Sequence, residues 1–126
     1  MNILNGVINS SDKFDFTMCN PPFFGDKFER TSRNSSICPI SETEDITQGG
    51  ESGFVERYMQ ESVDYQHQVI WFTCMFGKRS TFEYAQTYLK VFIADQTSAL
   101  IIIAKGQIEL GKTKRWLLAW RFLLID

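Results

Sequence analysis

The sequence predicts an α/β domain whose mostly parallel sheet ends in an antiparallel strand pair. Three observations lead there. Apolar runs over residues 14–19 and 69–76 read as strands. Each is followed, directly or after a loop, by a segment with the apolar spacing of a helix. Two further strand-like runs, residues 99–103 and 116–122, stand together at the end of the chain. With 126 residues, 44% hydrophobic and 14% aromatic, the chain can bury one core, so a single unit over 1–126 is expected.

Taken in order, residues 1–11 carry scattered apolar side chains and an Asn5-Gly6 pair, which suggests a short strand or a turn entering the domain. Phe14, Phe16 and Met18 then alternate with Asp15, Thr17 and Cys19, the period of a strand. Asn20-Pro21-Pro22 stops that strand by removing two backbone donors. Residues 25–50 are almost wholly polar, basic at Lys27, Arg30 and Arg33 and acidic at Glu42, Glu44 and Asp45. A loop of this length is expected to be functional or poorly ordered.

Phe54/Val55, Tyr58/Met59 and Val63 recur every three to four residues, placing them on one face of a helix of about four turns that packs on the sheet. The run VIWFTCMF over 69–76 fits a strand buried on both faces and closed by Gly77. Ser80-Thr81-Phe82-Glu83 has the capping-box pattern, and Phe82, Ala85, Leu89 and Phe92 follow at helical spacing. A second helix is therefore expected from Ser80. The last two strands, within residues 99–124, are joined through Gly106, Gly111 and the basic run Lys112-Thr113-Lys114-Arg115.

Composition excludes several classes. A formal net charge of −2 is not that of a globally basic nucleic-acid binder, so basic patches must be sought locally. Three cysteines, Cys19, Cys38 and Cys74, are odd in number and form no C-x-x-C pair, which argues for a reducing compartment and against a zinc site. The longest apolar stretches are far too short to span a bilayer and the N-terminus has no signal pattern, so an intracellular protein of nucleus or cytoplasm with no membrane partner is expected.

His67 has no catalytic partner at suitable spacing and reads as a surface residue. Cys19 alternates into a strand and reads as packing. Trp71, Trp116 and Trp120 lie in apolar strands and read as core, and Glu51 with Asp45 is too weak a pair to predict a metal.

Chemistry concentrates at Asn20-Pro21-Pro22-Phe23, where a strand meets a loop; ligands in open α/β sheets bind beyond the carboxyl ends of strands. An exocyclic amine is a poor nucleophile because its lone pair is delocalised into the ring. The side-chain oxygen of Asn20 and the backbone carbonyl of Pro21 can each accept one N–H of such an amine, which returns electron density to the nitrogen. The prolines hold that carbonyl in a set direction, and Phe23 offers a stacking face worth roughly 1–3 kcal/mol to an extruded base.

The blocks FDFTMCNPPFF over residues 14–24, Gly49-Gly50-Glu51 before a helix, WFTCMFGK over 71–78 and RWLLAW over 115–120 stand in an order that resembles the methyltransferase-like family of RNA N6-adenosine methyltransferases. That family includes enzymes acting on the spliceosomal U6 small nuclear RNA and bacterial relatives acting on large-subunit ribosomal RNA. The resemblance implies a Rossmann-like class I methyltransferase that uses S-adenosylmethionine, with Asn20, Pro21, Pro22 and Phe23 holding the target adenosine of a structured RNA and Asn20 also meeting the cofactor. It also implies that Lys112 and Arg115 contact RNA, although Lys112 stands where the family leads one to expect arginine. Lys78 and Arg33 are further candidates for phosphate contact.

Residues before Asp12 hold no glycine-rich strand-to-helix turn of the kind that meets a nucleoside cofactor. The chain is therefore expected to carry the C-terminal half of the domain only, to lack most of the cofactor site, to be inactive in isolation, and to leave a sheet edge and apolar faces exposed. Two rival readings remain at this point: the same motif acting on DNA adenine or a glutamine amide, and a non-catalytic RNA-binding or interaction module. The sequence does not address oligomeric state.

Overall fold

The computed structural model describes residues 2–21 and 50–124. The expectation of poor order over residues 25–49, like Pro22, Phe23, Arg33 and Cys38, lies outside the described residues. The entering segment is a turn rather than a strand: the amides of Val7 and Ile8 both donate to the Leu4 carbonyl, and Gly6 takes a positive φ of 85°.

Strand β1 runs Phe14–Cys19, helix α1 Gly50–Asp64 and strand β2 Val69–Phe76. Helix α2, Arg79–Tyr88, continues through a wider π turn at Leu89–Ile93 and a short 3-10 turn at Ala94–Gln96. Strands β3, Leu100–Leu110, and β4, Thr113–Leu123, close the chain. The sheet has the order β1-β2-β4-β3. β1 and β2 are parallel, while β4 is antiparallel to both neighbours. The antiparallel strand thus lies one position inside the edge, which refines the expected terminal pair.

Both helices cover one face. Val55, Tyr58 and Met59 of α1 and Phe82, Ala85, Leu89 and Ile93 of α2 and its extension meet Phe72, Cys74, Phe76, Leu118 and Trp120 in the core. Trp120 donates its indole N–H to Ser62 Oγ at 3.1 Å, and Ser62 passes its own proton to the Met59 carbonyl at 2.6 Å, so this buried polar pair is satisfied.

Four expectations are corrected. β2 is buried on one face only, with Trp71, Thr73 and Met75 half-buried, because no described element covers the other side. Trp71 lies on that open side beneath the Arg121 guanidinium, 5.4 Å from the ring centre, rather than in the core. The second helix starts one residue early and has no side-chain cap; Glu83 pairs instead with Arg79, its i−4 neighbour, at 3.0 Å. Phe92 is exposed, and Ile93 completes the buried stripe after the π turn.

The final hairpin is also longer than expected. Ile108 pairs with Arg115 and Leu110 with Thr113, so Gly106 and the basic residues 114–115 belong to the strands. Only Gly111 and Lys112 form the turn. Gly111 has φ 65°, which suits a two-residue hairpin turn with glycine first.

Candidate functional site

The carboxyl ends of β1 and β2 lie side by side, with Cys19 opposite Cys74 as the last paired rung. Asn20 is the first residue beyond that rung and is exposed, whereas Pro21 is fully buried. A buried proline directly after an exposed asparagine pins the backbone, so the Asn20 side chain and the peptide that follows share one constrained exit from the sheet.

β2 ends at Phe76, opposite Trp116 of β4. Gly77 and Lys78 continue from that end, and Lys78 is the exposed residue capping α2, its carbonyl accepting the Phe82 amide. Arg115 precedes Trp116 and is half-buried, with one guanidinium nitrogen donating to the Lys114 carbonyl at 3.0 Å. Lys112 is exposed in the hairpin turn beyond it. The topology thus gathers Asn20, Pro21, Lys78 and Arg115 at one end of the sheet and sets Lys112 at the tip of a protruding ribbon.

Glu51 joins them. It lies in the first turn of α1, is 5% exposed, and neither carboxylate oxygen has a hydrogen-bond partner among the described residues. Burial raises its pKa; the Thr81 side chain and the positive charges of Lys78 and Arg115 pull the other way and lose. Sequence reasoning placed Glu51 in a weak metal pair with Asp45 and in the Gly49-Gly50-Glu51 block, and gave it no role of its own. The signal that could have found it is an acid placed directly after Gly-Gly at a helix start, where the helix dipole favours an anion.

Neither described thiol is exposed. Cys19 and Cys74 are both buried and free, and Cys74 is held strongly in the protonated form by its contact with Cys19 and by burial. Packing is the role the alternation gave Cys19. His67 is exposed in the turn after α1, as a surface residue should be.

Behind the motif, Tyr58 closes a cycle of side-chain bonds between β1 and β2. Its hydroxyl donates to the Thr73 carbonyl at 3.0 Å, and the Thr17 hydroxyl lies 2.6 Å from the Tyr58 hydroxyl oxygen. Thr73 in turn donates to the Thr17 carbonyl at 2.6 Å. Sequence periodicity marked Tyr58 as a core residue and could not show its hydroxyl.

Among the described residues no glycine-rich turn joins a strand to a helix, no cluster of three or more metal-ligating side chains occurs, and no helix is long and apolar enough to cross a membrane. Asn20 and Pro21 offer hydrogen-bond acceptors beyond the end of β1, while the described residues supply no glycine-rich turn of the kind that meets a nucleoside cofactor. The one earlier glycine, Gly6, sits in a turn whose neighbouring amides are tied to Glu61.

The sequence pattern of a family described as RNA methyltransferase matches residues 1–124. The RNA N(6)-adenosine-methyltransferase mettl16 of Danio rerio is 31% identical over 129 residues, covering 95% of this chain and 26% of that protein. The U6 small nuclear RNA (adenine-(43)-N(6))-methyltransferase of Schizosaccharomyces pombe is 35% identical, covering 88% of this chain and 28% of that protein. Ribosomal RNA large subunit methyltransferase F of Pseudomonas putida is 30% identical, covering 96% and 42%. The chain spans less than half the length of each of these relatives.

Two solved structures are similar in fold. The human Mettl16 catalytic domain in complex with the MAT2A 3′UTR hairpin 1 superposes with a TM-score of 0.67 at 25% identity, covering 95% of this chain and 42% of that one. The N-terminal domain of human METTL16 in complex with SAH gives 0.62 at 25% identity, covering 95% and 37%. The four-stranded sheet with its inner antiparallel strand is thus part of a Rossmann-like methyltransferase fold, and the chain belongs to the RNA methyltransferase family.

Proposed function

We propose that this chain supplies the amine-holding part of an S-adenosylmethionine-dependent RNA N6-adenosine methyltransferase. The observation that carries the reading is the exit of Asn20-Pro21 from the carboxyl end of β1, in a chain whose RNA methyltransferase family match spans residues 1–124. The cofactor would supply an electrophilic methyl group. This chain's own part is to accept the two N–H bonds of the target amine on the Asn20 oxygen and the Pro21 carbonyl, which turns the nitrogen lone pair out of the ring plane. Pro22 and Phe23, outside the described residues, belong to the same proposal as backbone brace and stacking face.

Structured RNA is the proposed partner. A relative of known structure holds an RNA hairpin, another holds SAH, and two curated relatives are RNA adenosine methyltransferases. Lys78 and Arg115 at the same end of the sheet, Lys112 on the ribbon and Arg33 in the polar loop are the proposed phosphate contacts, which fix register on RNA without reading sequence.

The test is transfer of labelled methyl from S-adenosylmethionine to an adenosine-containing RNA hairpin. It compares the chain alone, the same residues within a complete catalytic domain of the family, and that domain with Asn20→Ala. Transfer by the complete domain that Asn20→Ala lowers by at least about a hundredfold supports the reading, the scale at which loss of one preorganised hydrogen-bonding group is felt. Hairpin binding without transfer in the complete domain overturns it in favour of an RNA-binding module.

A further inference from the structure

We propose that Tyr58 is a positioning residue for the Asn20-Pro21 acceptor pair, holding the end of β1 against β2 through a closed cycle of hydrogen bonds with Thr17 and Thr73. The inference rests on the function proposed above and names a residue of α1 that never touches the substrate.

The donors are determined by counting protons. The Tyr58 hydroxyl has one, which it gives to the Thr73 carbonyl at 3.0 Å; the Thr17 hydroxyl, 2.6 Å away, must then donate to Tyr58. Thr73 completes the cycle by donating to the Thr17 carbonyl at 2.6 Å, a stronger acceptor than the Met18 sulfur at 3.2 Å from the same hydroxyl. Each of the three hydroxyls therefore donates once, and the two strands are tied in both directions at one level.

That level matters because of where β1 lies. Among the described residues β1 is an edge strand, paired only with β2, and its last rung is Cys19 opposite Cys74. Thr17 is three residues before Asn20, about 10 Å along an extended strand. Within this chain a strand held from one side frays at its end, and the end here is the motif. Tyr58 supplies the restraint from the helix side.

The hydroxyl is itself held in place. The Tyr58 ring is 1% exposed and meets Trp120 edge-on at 5.4 Å and Phe72 at 6.4 Å between ring centres. Trp120 is anchored in turn through its indole N–H to Ser62. Burial also raises the phenol pKa, so the group remains a proton donor across the working range. Methyl transfer to a weak nucleophile depends on placing the amine within fractions of an ångström, and a displaced acceptor pair costs rate rather than binding.

The test is Tyr58→Phe, which keeps the ring and its packing and removes only the oxygen. Two readings are taken: amide hydrogen exchange on this chain, and steady-state methyl transfer in the complete catalytic domain, each beside the parent. The expected result is exchange at least about fivefold faster at Met18, Cys19 and Asn20 with β4 unchanged, and kcat lower by about tenfold with RNA affinity preserved. Unchanged exchange at Met18–Asn20, equal acceleration across the sheet, or unaltered kcat would overturn the proposal. The two readings separate this idea from the functional one. If Asn20→Ala leaves transfer intact, the functional reading fails while exchange still decides whether Tyr58 restrains β1; if Asn20→Ala abolishes transfer and Tyr58→Phe does nothing, only the present inference fails.

Discussion

Glu51 carries the sharpest electrostatic consequence of any single residue. A buried carboxylate that accepts no hydrogen bond among the described residues is costly in its charged form, and burial outweighs the nearby Lys78 and Arg115 charges to raise its pKa from the ordinary 4.5. A folded-state pKa above the unfolded one means that folding favours the proton. The stabilisation is full below about 4.5 and is lost as pH rises through the raised folded value. Replacing the carboxylate by an amide removes that dependence. Glu51→Gln is therefore expected to be more stable than the parent near pH 8, by roughly 1 kcal/mol, with the advantage shrinking toward pH 5. Thermal unfolding of the two proteins across that range checks it; a constant difference at every pH would show that Glu51 titrates normally. The sequence places this acid after Gly49-Gly50 at a helix start but does not show its burial, which comes from packing α1 over the sheet end.

At the scale of elements, the sequence was most legible where one period dominated. Phe14–Cys19, Gly50–Asp64 and Val69–Phe76 all form as the apolar spacing predicts. It was least legible where local signals competed. Ser80 offered a cap, yet α2 begins at Arg79, where an Arg79-Glu83 pair and the Lys78 carbonyl serve the first turn. Gly106 looked like a break and is a strand residue, because the ladder to β4 runs through it to the turn at Gly111. The site divided in the same way. The Asn20-Pro21 motif and the basic residues were readable as residue types, while Glu51 and Tyr58 depend on tertiary placement.

Helix α1 also anchors the entering segment, by means no periodicity reveals. Glu61, 3% exposed, accepts the backbone N–H groups of Ile3, Leu4 and Asn5 at 2.6–3.1 Å. Charge-assisted bonds of this kind contribute about 1.5–3 kcal/mol. Glu61→Gln can satisfy fewer of those donors. It is expected to lower stability by about 2 kcal/mol, and limited proteolysis should then cut within residues 2–12 before it reaches the sheet.

At the scale of the whole molecule, the decisive feature is that the two described helices lie on the same side of the sheet. The other side presents Phe16 at 61% and Met18 at 59% exposure, beside the half-buried Trp71 and Thr73. Phe16, Met18, Thr73, Ala104 and Leu117 line a groove of about 390 Å³ there. A contiguous apolar face next to an edge strand with free backbone groups promotes association in water. This follows from the alternation that defines β1: its aromatic and methionine side chains point away from the helices, and Asp15, Thr17 and Cys19 lie on the face toward them. The isolated chain should bind a hydrophobic dye strongly in its native state and sediment as more than a monomer at micromolar concentration. Replacing Phe16 and Met18 together by lysine should suppress both effects. Because those side chains are already largely hydrated, the unfolding midpoint should move by no more than about 0.5 kcal/mol in equivalent stability. A large loss of stability in the double variant would instead show that this face is packed in solution, and the one-sided sheet would then be the wrong description of the isolated chain.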